Sequence, residues 1–203
     1  IPALLLDESL GGAQASLLEA TGALEALGAL AVPAPAAESM IANWCASTAG
    51  LSLPAAPATL APCVPQDPIA LRASQGGIRI TADLRQVPFA RHCGTVVLQG
   101  TLNGATITCA IPTAAAGISL TPQSSLNGEA RDRVLMDTTL SSAQFSDAAT
   151  IDVLKAGAAM RSVQMSSALN ASLNMCANYV TERNQFGRPL AKFQAIQQQL
   201  AVM

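Results

Sequence analysis

Tyr179-Val180-Thr181-Glu182-Arg183-Asn184-Gln185-Phe186-Gly187-Arg188-Pro189-Leu190-Ala191-Lys192-Phe193-Gln194-Ala195-Ile196-Gln197-Gln198-Gln199-Leu200-Ala201-Val202-Met203 closes the 203-residue sequence. An apolar-faced helical pattern runs into Arg-x-Gln-Phe-Gly, turns, and restarts at Pro189. Phe193, Ile196, Leu200 and Met203 are spaced 3, 4 and 3, one face of a second helix. The pattern predicts a helix–helix corner carrying a guanidinium, an amide and flat aromatic rings. A planar guanidinium can hold a phosphate through two parallel hydrogen bonds. The residues alone leave a second reading open, in which Arg183 pairs with Glu182 or a partner carboxylate and both phenylalanines are core.

Upstream of this corner the period is 3.6 from about Asp147. Ile151, Leu154, Ala158, Met165, Ala168, Leu169, Leu173, Cys176 and Val180 can line one broad face. A helix of about 30 residues is long for an isolated element and implies a bundle. Asn170 and Asn174 lie i, i+4 on it and read as a solvated or interhelical polar edge.

The middle of the chain has a different period. Gly77-Ile78-Arg79-Ile80-Thr81 alternates, and Thr95-Val96-Val97-Leu98-Gln99 is β-branched and short. Asn103-Gly104 between Leu102 and the run from Ala105 to Ile111 is a strong hairpin signal. Gly117–Leu120 and Arg133–Asp137 look like further strands, so residues 69–146 read as a small antiparallel sheet domain. The prolines at 54, 57, 62, 65 and 68 make residues 51–68 a linker or an irregular crossing.

The first third reads helical. Ser16 and Glu19 form a capping-box signature, and Leu17, Leu18, Leu24 and Leu27 follow. Gly28 is the expected carboxy-terminal stop of this helix. A second helix fits Ala36 to Ala49, closed by Gly50.

Composition narrows the function classes. A net charge of -2 argues against nucleic acid, because binding phosphodiester chains needs a basic surface. No apolar run reaches the roughly 18 residues of a membrane helix. Ile1-Pro2-Ala3-Leu4-Leu5-Leu6 has no basic flank and soon meets Asp7-Glu8, a poor signal peptide. With half its residues apolar and 12% charged, the chain is expected to meet another subunit over part of its surface. The five cysteines have irregular spacing and no C-x-x-C pair, and His92 is the one histidine. Zinc and disulfide frameworks are therefore not expected, and a reducing, cytoplasmic setting is. A catalytic set built on His92 has no supporting neighbours.

The corner resembles that of the acyl-CoA dehydrogenase flavoproteins, which typically read Y-x-x-x-R-x-Q-F-G-x-P-[IL]-x-x-[FH]-Q-x-x-x-x-x-[LM]-A-x-M. Two weaker segments agree. Leu4–Gly12 resembles that family's L-x-x-P-E-x-x-G-G, with Asp7 where proline is usual, and Ala156–Met165 resembles the start of its first carboxy-terminal helix. The resemblance implies an α+β multi-domain fold, incomplete at both ends. Residues 1–61 would be the amino-terminal helical part, 62–146 the middle β domain, and 147–203 the first two helices of a carboxy-terminal bundle.

The same resemblance implies FAD-dependent α,β-dehydrogenation of an acyl-CoA thioester. In that chemistry a carboxylate takes the α-proton and the flavin accepts a hydride from Cβ. It further implies a homo- or hetero-oligomer, a dimer or tetramer, with an electron-transfer flavoprotein as redox partner. Arg183, Gln185, Phe186, Phe193 and Gln194 would reach a neighbouring subunit's FAD, with Arg183 on the phosphates, Gln185 donating a hydrogen bond and Phe186 packing on the cofactor. No base is assigned; Asp152 is the nearest acidic residue to the helix start where some members carry theirs. Arg161 lies one turn further on and reads as a solvated helix charge. The T-E-P-x-x-G-S-D stretch is missing, and Gln86-Val87-Pro88-Phe89 stands where members place an aromatic-Ile-Thr/Ser flavin turn. That departure implies an alternative, a non-catalytic structural subunit of a heteromeric enzyme.

Overall fold

The computed structural model describes residues 1–63, 67–148 and 151–202. The order of elements is α1 Leu17–Ala29, α2 Ala36–Thr48, β1 Ala58–Leu60, β2 Ile69–Ser74, β3 Gly77–Pro88, β4 Thr95–Leu102, β5 Ala105–Pro112, β6 Ile118–Thr121, β7 Arg131–Leu140, β8 Phe145–Ser146, α3 Val153–Glu182, β9 Asn184–Gln185, β10 Arg188–Pro189 and α4 Gln194–Val202. Helices, then sheets, then helices make this an α+β chain. Its residues form two compact units, Ile1–Ala20 with Pro33–Met160, and Thr21–Val32 with Arg161–Met203. Met203 of the last apolar stripe and Pro65 of the proline-rich stretch lie outside the described residues.

The first unit is a pair of four-stranded sheets, ordered β1-β4-β5-β8 and β2-β3-β7-β6. Strand β3 alternates buried Ile78, Ile80, Ala82 and Leu84 with exposed Arg79, Thr81 and Arg85. The period-2 pattern thus drives one face inward. Leu71, Ile80, Leu84, Val134, Met136 and Leu140 from one sheet share a core with Val96, Leu98, Ile107, Cys109 and Ile111 from the other. Asn103 and Gly104 turn the β4–β5 hairpin with φ 51° and 84°, and Leu102 pairs with Ala105.

Two details depart from the sequence expectation. The sheet domain is not wholly antiparallel: β1, inside the stretch read as a linker, pairs parallel with β4. Helix α2 secures it, since Ser39 Oγ donates to Ala58 O at 2.8 Å and accepts from Ala58 N at 3.1 Å. Proline density marked an irregular crossing but could not show that three residues within it add to a sheet edge. Strand β3 also bulges between Leu84 and Val87, where Gln86 has φ 56°.

Helix α1 opens with the expected capping box. Ser16 N donates to Glu19 Oε2 at 2.8 Å, and Glu19 N donates back to Ser16 Oγ at 3.2 Å. Ser16 N and Ser16 Oγ, each donating to Glu19 Oε2 at 2.8 Å, hold the Glu19 carboxyl below its ordinary range. The end of α1 corrects the reading of Gly28 as its stop. Gly28 lies inside the helix, and the left-handed residue is Ala31, φ 47°. Val32 N donates to Leu27 O and Ala31 N to Gly28 O, each at 3.1 Å, a Schellman pair with alanine in the glycine position. Helix α2 ends the same way with the usual residue, Gly50, φ 75°. Gly28 instead marks a close approach: a Cβ there would lie 2.4 Å from Gln164 O on α3.

Helix α3 runs 30 residues, close to the expected length. Its start is tied to the first unit by Gln99, whose Nε2 donates to Ile151 O at 2.6 Å and whose Oε1 accepts from Val153 N at 3.0 Å. The covered face differs from the expected one. Leu154, Met165 and Leu169 of the expected stripe are exposed and its Val180 is buried, while Val153 and Met160, outside that stripe, are buried as well. Against the second half of α3 the α1 segment packs along one side, through Gly28 at Gln164 and through Ser167 Oγ donating to Glu25 O at 2.7 Å.

Candidate functional site

The corner after α3 is a two-residue hairpin. Gln185 pairs with Arg188 and Asn184 with Pro189, and Leu190 N donates to Arg183 O at 2.9 Å. The turn residues are Phe186, φ 52°, and Gly187, φ 78°. These nearly repeat the angles of Asn103-Gly104, but with an aromatic residue where asparagine is favoured. A non-glycine residue in this region costs about 1–2 kcal/mol, which asparagine partly recovers through local hydrogen bonding. Phe186 is also 90% exposed. A strained backbone that holds a ring out of the protein contributes nothing to folding, and such strain collects at ligand sites.

Arg183 is fixed by its neighbour two residues on. Two amide N–H groups could not face guanidinium N–H groups, so the Gln185 amide presents its oxygen. Oε1 then accepts from Arg183 Nε at 3.1 Å and Nη2 at 2.7 Å. Gln185 was expected to donate toward a cofactor; its first role is to accept from Arg183, with Nε2 on the opposite edge of the amide. Among the described residues Arg183 pairs with no carboxylate, Glu182 included.

Phe193 sits half-buried below the turn. Phe186 meets it edge-on, with centroids 6.2 Å apart at 73°. The ring also carries a residue that motif reading treats as variable: Arg188 lies with Cζ 4.2 Å from the Phe193 centroid. Reading Phe186-Gly187 as a two-residue turn would have placed Arg188 opposite Gln185. Gln194 opens α4, exposed, and is not drawn into these contacts. Arg183, Gln185, Phe186 and Phe193 are thus brought together, Arg188 joins them, and Gln194 stands at the margin. Guanidinium donors, an amide and an open aromatic ring suit an anionic ligand with a flat ring system.

The other candidate positions are structural. Asp152 caps α3: its Oδ1 accepts from Lys155 N at 3.0 Å, and its Oδ2 pairs with Lys155 Nζ at 3.2 Å. Those bonds lower its pKa, the opposite of what a proton-abstracting base needs. In the segment where a flavin turn was sought, Phe89 has φ 51° and is buried with Cys93 and Ala130. Thr59 Oγ1 donates to Pro88 O at 2.5 Å, and Phe89 N to Ala130 O at 3.0 Å. Buried Asp132 accepts from Arg91 N and Gln123 N and pairs with Arg91 Nε at 3.1 Å, locking the turn that follows. Burial pushes Cys45, Cys93 and Cys109 up to about 12 and Cys63 up to about 11, so these thiols are inert packing groups. Among the described residues no cluster of His, Cys, Asp or Glu could hold a metal, and no helix is long and apolar enough to cross a membrane.

Residues 147–203 match the family model described as acyl-CoA dehydrogenase, C-terminal domain. A sequence search among curated proteins found no match. Among solved structures the chain resembles the ChsE4-ChsE5 complex from Mycobacterium tuberculosis, with TM-score 0.86 and 21% identity over 99% of this chain and 60% of that one. It also resembles glutaryl-CoA dehydrogenase from Mycobacterium smegmatis in complex with FADH2, TM-score 0.75, 14% identity, over 98% and 59% of the two chains. PigA with FAD and proline gives TM-score 0.78 and 15% identity over 98% and 62%. The chain therefore spans about 60% of the length of these solved chains. Residues 147–203 thus match the model of the acyl-CoA dehydrogenase carboxy-terminal domain, and the chain has the fold of these solved acyl-CoA dehydrogenase structures.

Proposed function

We propose that this chain is a subunit of an FAD-dependent acyl-CoA dehydrogenase acting on the Cα–Cβ bond of an acyl-CoA thioester. The observation that carries the reading is Arg183, held by the Gln185 amide and by no carboxylate of the described residues, beside the exposed ring of Phe186. When bound, FAD supplies the acceptor for the hydride equivalent. This chain's part is to bind it: Arg183 on a phosphate, Gln185 fixing Arg183 and offering its amide N–H, Phe186 and Phe193 as the apolar floor, Gln194 at the edge. The solved relatives that hold FAD or FADH2 support the choice of cofactor. We place residues 1–61, 62–146 and 147–203 as the helical, β and bundle domains. An oligomer in the cytoplasm, with an electron-transfer flavoprotein taking the electrons, follows from the same reading.

A second reading has its own observations. Asp152 is a helix cap with a lowered pKa, and Val87, Pro88 and Phe89 of the segment sought as a flavin turn are buried, so this chain can be the non-catalytic subunit of a heteromer. The two-component ChsE4-ChsE5 structure is a precedent for that assembly. Purification of the full-length protein tests both readings. Flavin absorbance near about 450 nm that is lost in Arg183→Ala supports the cofactor role. A colourless native protein, or an Arg183→Ala variant as yellow as wild type, refutes it. Fewer flavins than subunits in a stable heterocomplex favours the non-catalytic role, and full occupancy in a homo-oligomer rejects that role.

A further inference from the structure

We infer that Arg188 is a second phosphate-binding cation at this corner, acting with Arg183 on one dinucleotide diphosphate. The inference rests on the cofactor reading above and adds a residue to it. The register puts Arg188 opposite Gln185, the residue that holds Arg183. Opposed residues of a hairpin lie on one face, with Cβ atoms about 4.5–5.5 Å apart. Arg188 and Gln185 therefore share one face of the hairpin, and Gln185 in turn holds Arg183.

The way each is held differs from the acid-paired arginines of the sheets, as it does for Arg161, whose Nη1 donates to Gln164 Oε1 at 3.2 Å. Arg79, Arg131 and Arg133 are paired with Asp137, Glu129 and Asp83, and Arg91 with buried Asp132. Arg183 and Arg188 are positioned by neutral groups, an amide oxygen and the face of a ring. A cation–π contact orients a guanidinium without cancelling its charge. Phe193 is in turn braced by the edge of Phe186. Two like charges kept on one short hairpin with no acid between them repel. An anion that bridges them removes that repulsion and takes up their N–H donors in pairs. A diphosphate diester, with one charge on each phosphate, matches two such cations.

Binding to the full-length apoprotein tests this, with FAD followed by its fluorescence, and with CoA as the other common source of a diphosphate. Arg188 is exposed, so Arg188→Ala should keep the wild-type circular dichroism spectrum and melting temperature. We expect it to weaken FAD binding about tenfold and to flatten the salt dependence, because one charge-assisted contact is lost. Arg188→Lys should restore part of both, and CoA should compete no better with the variant than with wild type. Undiminished FAD affinity in Arg188→Ala, with Arg183→Ala clearly weakened, overturns the inference and leaves the cofactor reading standing. Loss of CoA binding alone assigns Arg188 to a different ligand and also overturns it. Unchanged affinity in both variants removes the cofactor reading and the inference together.

Discussion

Gly28→Ala separates two opposed expectations by sign. In an exposed helix interior, alanine replacing glycine stabilises by about 1 kcal/mol, and propensity alone predicts that gain here. Tertiary packing predicts the reverse. The added Cβ would lie 2.4 Å from Gln164 O and 2.8 Å from its Cα. Ordinary carbon–oxygen contact needs roughly 3.4 Å, so α1 and α3 must separate by about 1 Å, since backbone cannot rotate away as a side chain can. That shift would stretch the Ser167 Oγ to Glu25 O bond from 2.7 Å to about 3.7 Å, beyond hydrogen-bond range. Overpacking costs about 1–3 kcal/mol and the bond about 1 kcal/mol, so after the propensity gain the net loss is about 1–3 kcal/mol. For a chain of this size that lowers the midpoint by about 2–4 °C per kcal/mol. Thermal unfolding followed at 222 nm by circular dichroism reads it, with far-ultraviolet helicity as the control. The companion Ala31→Gly supplies the residue its left-handed position favours and should stabilise by about 1 kcal/mol, raising the midpoint by about 2–4 °C. A Gly28→Ala protein that melts higher than wild type would refute the close-approach argument.

The Phe186→Asn variant should fold as well as wild type or about 1 kcal/mol better, because asparagine suits the turn, while flavin retention falls; equal flavin content would deny Phe186 a binding role. Asp152→Ala should lower stability by about 1 kcal/mol at neutral pH through loss of the α3 cap. Because the folded pKa of Asp152 is depressed, that contribution exists above the unfolded aspartate range and disappears as the pH falls through the folded value, so wild type and variant should converge in acid. Dehydrogenation abolished in Asp152→Ala with flavin content intact would instead make Asp152 the base. Iodoacetamide at about pH 8 should leave Cys45, Cys93 and Cys109 unmodified until the protein unfolds, since their thiols are pushed up to about 12; rapid native-state labelling of any of them by mass spectrometry would contradict their burial.

Much of the chain was legible because its signals are local. A capping box, a two-residue Asn-Gly turn and a period of 2 or 3.6 each act within a few residues, so α1, α2, the β4–β5 hairpin, β3 and the length of α3 could be read directly. The order helices, sheets, helices followed, and so did the residue types of the corner. What stayed hidden depends on partners far away in sequence or on the direction of one side chain. That β1 joins β4 in parallel needs Ser39 to hold Ala58 in place. That Gly28 is a contact and not a stop needs Gln164 on another helix. That Arg188 lies on Phe193, and that Gln185 turns its oxygen to Arg183, follows from hairpin register and hydrogen-bond polarity. The composition of a segment sets what it can form by itself. Which face it buries, and which charge it leaves unpaired, is decided by the neighbours that the folded chain brings to it.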